Sequence, residues 1–437
     1  MNNALSLFGL GKLGLPLALC HANVGTTVYG VDINTKLISD LQIGIIPFYE
    51  PSMYEYLKKA MEEKTFFPTI DYEIALQQSD VSIVITATPS NENGEFSNIY
   101  LVNAISRIGE ILSKLKKEYH VIVISSTVVP GTIEKELIPA LIESSSNYLI
   151  PGINVDIVFD PDFVALGQVI NDFENPDFVL IGSDSARGRE IVKKYHSRIV
   201  KNNAKFIETN LINAQISKVC LNAYICTKIS FANMISQLTE KIAGADPDEI
   251  TNTIGIDKRI GLKYFKAGLP YGGTCFPRDA VALNSINKLF GLKTQLMNGV
   301  ENTNINQTQY INEKILSLIK ESKFSRVFIV GLSFKSGTQV TEKSMAIELY
   351  NFLNSNIQVE IVGLDKLVKE NQVSFDVYAE FPKELFLESH DLFIYMHGFE
   401  KEISEMKKAI TIFDCWRNFK NISKEFKNYH ALGIKSC

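Results

Sequence analysis

The feature that most constrains the fold is a repeated alternation of short, continuously apolar runs with helical stretches. The first run, Ala4–Phe8, is followed by the glycine-rich segment Gly9–Gly14, a helical stretch and a second apolar run, Thr27–Val31. Val81–Thr86 and Val121–Ser125 continue the pattern. Strands that are apolar at every position are typical of parallel sheets with helices on both faces. We therefore predict a doubly wound α/β domain at the N-terminus.

The same alternation returns in the last part of the chain. Val327–Val330 leads into Gly331, and Val359–Val362 is followed shortly by Asp365, so this unit mirrors the opening one without its full glycine pattern. Two later apolar runs continue the sheet, Leu392–Met396 and Ile410–Phe413. A second doubly wound domain follows from this pattern.

The middle of the chain has a different character. Residues 210–244 contain no proline, and Gly244 is their only glycine. Apolar residues recur there at helical spacing, which predicts one long helix with Gly244 as its stop. The expected fold class is α/β: two Rossmann-like domains, residues 1–205 and 306–437, joined by a central helical domain, residues 206–305. A helix this apolar also predicts a homodimer or a larger assembly of identical chains.

Composition excludes several classes of function. The formal net charge of the 437 residues is -5, which argues against nucleic acid as a general partner because phosphate binding needs a basic surface. No stretch is long and apolar enough to span a bilayer. The apolar segment Ala4–Cys20 is interrupted by Lys12, glycines and Pro16 and has no basic segment before it, so we do not expect a signal peptide.

Cysteine and histidine usage points to a reduced, cytoplasmic protein without a metal site. The chain has six cysteines, spread over its whole length without a C-x-x-C pair, and six histidines without metal-ligand spacing. The cysteines are Cys20, Cys220, Cys226, Cys275, Cys415 and Cys437.

The glycine-rich segment has the context of a dinucleotide-binding loop. It follows a strand, opens a helix, and Asp32 ends the next strand eighteen residues after Gly14. Gly9 permits the turn, Gly11 lets a pyrophosphate approach the backbone, and Gly14 lets the helix lie close to the sheet. Asp32 would bind the ribose hydroxyls and repel a 2′-phosphate, so NAD is the expected cofactor. The alternative is a glycine turn without a ligand.

The segment Leu269–Asp279 contains the best candidate for a reactive thiol. Pro277 suits the first turn of a helix, which places Cys275 just before that turn, near the positive helix end that favours a thiolate. Gly272 and Gly273 would leave room for a substrate to reach the sulfur, and Asp279 is nearby. The alternative for a lone cysteine is a buried structural role, which we prefer for Cys220 and Cys226 on the long helix.

Lys218 and Asn222 lie four residues apart on the predicted long helix and share one face. On an otherwise apolar helix, such residues lie either at a solvated edge or in a functional site. Their spacing alone leaves both alternatives open.

Together these residues resemble the UDP-glucose/GDP-mannose dehydrogenase family over nearly the full length. The matching segments are GLGKLG with Asp32, PFYEP (Pro47–Pro51), Thr88-Pro89, STVVPGT (Ser126–Thr132), Lys218-x-x-x-Asn222, KISFAN (Lys228–Asn233), GADPDEI (Gly244–Ile250), DKRIG (Asp257–Gly261), GGTCFPRD, GLSFKSGT (Gly331–Thr338) and DCWRN (Asp414–Asn418). Their order and spacing make the combined match specific. The motif GGTCFPRD is more similar to that of the UDP-glucose enzymes than to that of the enzymes acting on N-acetylhexosamines.

The resemblance implies a four-electron, NAD-dependent oxidation of the C6 alcohol of a nucleotide sugar, and a role in making a surface-polysaccharide precursor. Cys275 would carry a thiohemiacetal and then a thioester, which water cleaves to the uronic acid. Lys218 and Asn222 would stabilise the oxyanion. Asp279 would order a water or take a proton, and Thr127 would hold a water near C6.

The resemblance also implies binding residues. Arg259 would reach the site of a neighbouring subunit, and Lys335 would reach the nucleotide from the C-terminal domain. The expected cofactor-binding residues are Gly9, Gly11, Lys12, Leu13, Gly14, Asp32, Thr88, Pro89 and Thr127. The expected substrate-binding residues are Lys218, Asn222, Arg259, Lys266, Tyr271, Gly272 and Lys335.

Three departures from the family pattern concern the hydrolytic step and the ligands. The expected catalytic Glu is Asp162, one methylene shorter, and a second Glu of the same motif is replaced by Leu166. Leu37 stands where a basic residue often lies near the ribose, although Lys36 is adjacent. The segment Thr338–Glu342 lacks the arginine that usually follows the FK motif. By the resemblance, Asp162 would assist the water that opens the thioester.

Two other functions remain open from the sequence. A two-electron dehydrogenase of the 3-hydroxyacid type would share the first domain and the long helix but would not explain Cys275 or the last domain. A non-catalytic protein that binds NAD or a sugar nucleotide would bind ligand without turnover.

Overall fold

The computed structural model describes residues 3–89, 96–381 and 390–435 and divides into two compact units, Met1–Cys220 and Leu221–Cys437. The boundary falls inside the long helix, which contributes residues to both units. Each unit contains one sheet of predominantly parallel strands. The division into three domains at residues 205 and 305 stays a prediction.

The first unit is built on an eight-stranded sheet with the order β3-β2-β1-β4-β5-β6-β7-β8. Its strands are β1 Ala4–Phe8, β2 Thr27–Val31, β3 Phe66–Thr69, β4 Val81–Val84, β5 His120–Ile124, β6 Val155–Phe159, β7 Phe178–Gly182 and β8 Lys205–Thr209. All neighbouring strands are parallel except β6 and β7, which meet in an antiparallel bridge. The chain order reverses beside β1, as in doubly wound folds that bind a ligand at that point.

Helices cover both faces of this sheet. They are α1 Gly14–Asn23, α2 Thr35–Gln42, α3 Met53–Glu62, α4 Tyr72–Gln78, α5 Ile99–Leu115, α6 Ile138–Ser144, α7 Val169–Glu174 and α8 Ala186–Ile199, with a π-helical turn, Ile133–Leu137, before α6. Alternate residues of β5 belong to two different cores: Val121 and Val123 to one, Ile122 and Ile124 to the other. Burial on both faces is the reason why apolar residues predominate in the central strands.

The second unit contains most of the long helix and a six-stranded parallel sheet, ordered β11-β10-β9-β12-β13-β14. The strands are β9 Arg326–Val330, β10 Glu360–Leu364, β11 Val377–Tyr378, β12 Asp391–Tyr395, β13 Thr411–Asp414 and β14 Asn428–Ala431. The helices are α9 Leu211–Thr239, α10 Pro247–Ile256, α11 Cys275–Leu289, α12 Gln295–Ser322, α13 Met345–Asn356 and α14 Glu400–Met406, with 3-10 turns at Glu370–Gln372 and Lys420–Glu425. The predicted fold class, two doubly wound parts and a helical middle, is confirmed.

The predicted end of the long helix is wrong by five residues. Helix α9 ends at Thr239, and tight turns carry the chain on to Gly244, which has a φ of 80°. The hydroxyl of Thr239 donates to the carbonyl of Gly433 at 2.7 Å, so a contact distant in sequence fixes the end of the helix. Gly244 therefore ends the following turn and not the helix.

Candidate active site

The first candidate site lies at the carboxyl ends of β1, β2, β4 and β5. Gly9 follows β1 with a φ of 102°, and a Cβ there would lie 2.5 Å from the carbonyl oxygen of Ile85. The amide of Ile85 donates to the carbonyl of Phe8 at 2.9 Å, which joins the ends of β1 and β4. The turn after β1 is thus pressed against the neighbouring strand and accepts only glycine at its first position.

The two other glycines of the loop have different environments. A Cβ on Gly14 would lie 1.9 Å from the carbonyl oxygen of Gly9, so helix α1 can start there only with glycine. A Cβ on Gly11 would meet no described atom within 4 Å, and the residue is exposed. The protein itself does not require glycine at position 11. A ligand that approaches the backbone does require it, so the loop fits a dinucleotide pyrophosphate.

Asp32 is fixed at the end of β2. One carboxylate oxygen accepts the amide of Leu10 at 2.8 Å, and the other accepts the amide of Asn34 at 2.9 Å. The carboxylate therefore braces the glycine loop and lies beside the place where the ribose of a dinucleotide would bind.

The remaining predicted cofactor residues lie around the same edge. Thr88 is buried, and its hydroxyl donates to the carbonyl of Thr127 at 2.9 Å, which joins the segments after β4 and β5. Lys12 and Pro89 are exposed, and Leu13 is half-buried at the N-cap of α1, where its apolar side chain cannot cap the helix. The backbone contributes to closing the first turn instead, since the amide of Leu15 donates to the carbonyl of Gly11 at 3.1 Å.

Lys218 is buried, with 8% of its surface exposed, and its ammonium donates to the peptide carbonyl of Asp162. It also lies over the ring of Phe163 at 4.7 Å. Asn222, one turn further on α9, is 7% exposed. The solvated-edge alternative for these two residues is therefore wrong, since both side chains are buried.

The carboxyl group of Asp162 has a raised pKa. Its Oδ2 is shielded from solvent and has no hydrogen-bond partner in the described part of the chain. Burial, aided by the charge of Asp160, raises the pKa of Asp162 from its ordinary 3.8 to about 7, against the opposing effects of Lys218 and His196. A carboxylate with a pKa near neutrality is suited to take and release protons.

Cys275 is exposed and is the first residue of α11, whereas the sequence placed it just before the helix. Pro277 lies in the first turn as predicted. The side chain lies in the first turn, where backbone amides point outward and negative charge is favoured. Its Sγ lies 3.5 Å from the hydroxyl of Thr274.

Close packing, and not the predicted space for a substrate, explains the two glycines before Cys275. A Cβ on Gly272 would lie 2.1 Å from the carbonyl oxygen of Lys343, and one on Gly273 would lie 2.7 Å from the ring of Phe334. Gly273 also has a φ of 76°. Close packing within the second unit requires both glycines, and space for a substrate is not needed to explain them.

Asp279 lies one turn after Cys275 on α11 and is fully buried. Asn222 donates to one of its carboxylate oxygens at 2.6 Å, and Arg278 donates to the other at 2.9 Å. The structure thus brings together Asn222 and Asp279, two residues to which the resemblance assigns separate catalytic roles. It also adds Arg278, whose only sequence signal was its position inside the GGTCFPRD segment.

The other predicted substrate residues are less closely grouped. Arg259 is 87% exposed at its side chain and pairs with Asp257. Lys266 is exposed and donates to Asn418 at 3.2 Å, whereas Tyr271 is buried and held through its backbone by Asn304. Lys335 is half-buried, and its carbonyl accepts the hydroxyl of Ser333 at 2.8 Å.

The second sheet repeats the loop geometry of the first. Gly331 follows β9 with a φ of 89°, and Asp365 follows β10 and accepts the amide of Leu332 at 2.8 Å. This matches the contact between Asp32 and Leu10. Lys335 follows this loop, on the part of the second sheet where a nucleotide binds in such folds.

The described residues contain neither a membrane-spanning helix nor a metal-binding cluster. No described helix combines the length and apolarity needed to cross a membrane. Among residues 3–89, 96–381 and 390–435, no group of three His, Cys, Asp or Glu side chains has a geometry that could hold a metal ion.

Comparison with known proteins shows the family. Residues 3–200 match the NAD binding domain of the UDP-glucose/GDP-mannose dehydrogenase family, and residues 212–306 match its central domain. The chain is 33% identical to the UDP-glucose 6-dehydrogenase TuaD of Bacillus subtilis over 80% of this chain and 73% of that protein. It is 30% identical to a UDP-glucose 6-dehydrogenase of Rickettsia felis over 86% and 83%.

A solved structure agrees over the whole chain. The UDP-glucose dehydrogenase of Pyrobaculum islandicum superposes with a TM-score of 0.88 at 25% identity, covering 99% of this chain and 98% of that one. The fit of the glycine loop and Asp32 to a dinucleotide agrees with the matched NAD binding domain. The chain belongs to the UDP-glucose/GDP-mannose dehydrogenase family and is an NAD-dependent nucleotide-sugar 6-dehydrogenase.

Proposed function

We propose that this enzyme oxidises the C6 alcohol of UDP-glucose to the carboxylate through a covalent intermediate on Cys275. The observation that carries this proposal is the arrangement on α11: an exposed thiol in the first turn and, one turn later, a buried carboxylate held by Asn222 and Arg278. The named activity of the relatives in Bacillus subtilis and Rickettsia felis supports UDP-glucose as the substrate.

The reaction requires two oxidations and one hydrolysis. NAD, when bound, supplies the hydride acceptor for each oxidation. After the first oxidation, Cys275 Sγ adds to the aldehyde carbon and the carbonyl oxygen takes a proton, which gives a thiohemiacetal. Loss of the second hydride and the hydroxyl proton leaves a thioester. Water then adds to the thioester carbon, the C–S bond breaks, and the thiol and the carboxylic acid are released.

The chain's own residues assist these steps. Lys218 and Asn222 stabilise the negative oxygen that develops at C6. Asp279 takes a proton or orders a water, and Thr127 holds a water near C6. The ammonium of Lys218 donates to the peptide carbonyl of Asp162, so this contact holds the lysine next to the Asp162 segment.

Asp162 acts as the base in the hydrolysis. Its raised pKa places the exchange between its acid and carboxylate forms near neutral pH. A base is most effective when its pKa lies close to the working pH. The shorter side chain limits its reach, and we therefore propose that hydrolysis limits the overall turnover.

Substrate contacts are proposed for residues of the second unit. Arg259, exposed and paired with Asp257, reaches the site of a neighbouring subunit. Lys335 binds the nucleotide beside the loop at Gly331, and Lys266, Tyr271 and Gly272 contribute further contacts.

We also propose a homodimer, or a larger assembly built from it, in the cytoplasm. Large apolar side chains stay exposed along α9: Ile212, Ile216, Tyr224, Phe231, Met234 and Leu238, each with 37% or more of its surface exposed. At 100° per residue these positions fall within about 120° of the helix circumference, which makes one continuous stripe. A stripe of this kind is stabilised by burial against a second copy. None of the five described cysteines forms a disulfide, which fits a reduced compartment.

The decisive experiment measures products and covalent state. The protein is incubated with NAD and a panel of UDP-glucose, GDP-mannose and UDP-N-acetylhexosamines, and NADH formed per sugar is counted. We expect two NADH per UDP-glucose. One NADH per sugar would instead support the two-electron alternative.

Cys275→Ser tests the covalent step, with Cys220→Ser as the matched control because Cys220 is a half-buried thiol on α9. The Cys275 variant should lose acid formation and keep slow aldehyde chemistry, since the first hydride transfer does not need sulfur. Normal acid formation by this variant would disprove the covalent mechanism.

A further inference from the structure

The segment PFYEP, Pro47–Pro51, has no role in the reaction described above. Its glutamate, Glu50, is nevertheless buried, with 6% of its surface exposed. A buried carboxylate is costly unless hydrogen bonds compensate the lost hydration. Its partners therefore indicate what the residue does.

Glu50 binds the end of the segment that contains Asp162. One carboxylate oxygen accepts the amide of Gly167 at 2.9 Å, and the other accepts the amide of Val169 at 2.7 Å. Val169 is the first residue of α7, so its amide has no partner within the helix, and Gly167 lies two residues before that helix. Two donors with one carboxylate form a bidentate clamp that neither an amide nor a hydroxyl side chain can reproduce.

The opposite end of the same segment is held by a buried ion pair. Asp160, 3% exposed, binds the imidazole of His196 on α8, which is 6% exposed. Burial lowers the pKa of His196, but the charge and hydrogen bond of Asp160, with the charge of Asp162, outweigh it and raise the pKa. Between the two ends, Lys218 binds the carbonyl of Asp162, and Asp172 accepts the amide of Ala165 at 2.9 Å. Residues 161–167 are thus held from both sides, and Glu50 is the holding residue that precedes the segment in the chain, 117 residues before Gly167.

We propose that Glu50 is a positioning residue that fixes the Asp162 segment at its C-terminal end. Because the segment has no regular secondary structure between β6 and α7, its geometry depends on these side-chain contacts. An error of about 1 Å in the place of a general base lowers a rate by about a hundredfold. The inference rests on the proposed role of Asp162 in thioester hydrolysis.

The test compares Glu50→Ala and Glu50→Gln with a control, Glu174→Gln. Glu174 is buried on α7, and its carboxylate accepts the hydroxyl of Tyr56 at 2.6 Å and pairs with Lys201. Amide hydrogen exchange of residues 160–170, kcat and KM, and the mass of the intact protein during turnover are measured for each full-length variant, together with Asp162→Asn.

We expect faster exchange in residues 160–170 of Glu50→Ala, a kcat lowered about ten- to a hundredfold, and thioester accumulating on Cys275. The first-turnover burst of NADH should be unchanged. Glu50→Gln keeps one acceptor oxygen and should fall between Glu50→Ala and the unmodified enzyme. Glu174→Gln should change none of these quantities beyond its melting temperature.

The outcomes separate this inference from the proposed function. If Glu50→Ala exchanges normally in residues 160–170, or loosens them at normal kcat, Glu50 does not position the segment. If Asp162→Asn turns over normally without an adduct, Asp162 is not the base. In that case the exchange and kcat of Glu50→Ala still decide whether Glu50 positions the segment.

Discussion

At the scale of single residues, Asp162 controls the predicted dependence on pH. Its pKa is raised to about 7, and a general base works only in its ionised form. Acid release should therefore rise as the pH increases through about 7 and level off above it. Single-turnover decay of the thioester on Cys275, followed by intact mass from pH 5.5 to 9, measures this profile.

Asp162→Asn is the matching variant for this profile. It should remove the rising limb, slow acid release at pH 8 and accumulate the adduct. Because ionising the buried carboxylate is unfavourable, the substitution should not lower the melting temperature at pH 8. Asp162→Glu should leave activity unchanged or raise it. A rising limb that persists in Asp162→Asn would assign the titration to another group.

Asp32 controls the predicted preference for NAD. Its carboxylate repels a 2′-phosphate and also accepts the amide of Leu10 at 2.8 Å, so Asp32→Ala removes both a charge and a bond of the loop. Asp32→Asn also removes the charge, but it keeps one acceptor oxygen and so loses only one of the two backbone hydrogen bonds that Asp32 accepts. Both variants should lower the ratio of kcat/KM for NAD to kcat/KM for NADP, and Asp32→Ala, which loses both hydrogen bonds, should lower the melting temperature more than Asp32→Asn. Equal use of both cofactors by the unmodified protein would contradict the assignment.

At the scale of elements, helix α12 ends at a non-glycine residue in a strained, left-handed backbone conformation. Lys323 is the C-cap residue, exposed and left-handed with a φ of 52°. The left-handed conformation costs a non-glycine residue about 1 kcal/mol or more of conformational strain. Glycine avoids this strain but loses more conformational entropy on folding, which cancels part of the gain. Lys323→Gly should therefore raise the free energy of unfolding by up to about 1 kcal/mol.

The control is Lys320→Gly in the last turn of the same helix, where the residue is also exposed. Glycine inside a helix costs about 1 kcal/mol, so this variant should be less stable. Opposite shifts of the two melting temperatures support the argument, and equal destabilisation would show that the left-handed residue is not strained.

At the scale of the whole molecule, the exposed stripe on α9 predicts the assembly. Tyr224 and Met234 are 59% and 51% exposed, and charge placed there would oppose burial against a second copy. The double variant Tyr224→Glu/Met234→Glu should shift the mass seen by light scattering from dimer to monomer. Ile153→Glu, at a residue 67% exposed on the first unit, is the control and should keep the dimer. An unmodified protein that is a fully active monomer at assay concentration would contradict the proposal.

The sequence alone determined the features that depend on local pattern. Strands β1 and β2 were predicted with their observed bounds because both faces of each strand are covered, so apolar residues predominate on both faces. The glycine loop and Asp32 were recognisable because a positive φ and a close approach at fixed spacing demand specific residue types. The family resemblance rested on the same kind of local evidence.

The tertiary structure decided what depends on residues distant in sequence. The edge strands β3 and β8 were not predicted, since β3 contains a proline and β8 is largely exposed, so neither has a buried-strand pattern. Contacts with Gly433, Lys343 and Phe334 set the end of α9 and the need for Gly272 and Gly273.

Burial of charged groups was likewise beyond the sequence. Whether Lys218 was solvated or buried depended on the segment around Asp162, which lies about fifty residues earlier in the chain. The raised pKa of Asp162 depends on how much water the folded chain excludes and on the nearness of Asp160, Lys218 and His196. A sequence pattern states which residue types are available, but desolvation and Coulomb interaction depend on distances that exist only in the folded protein.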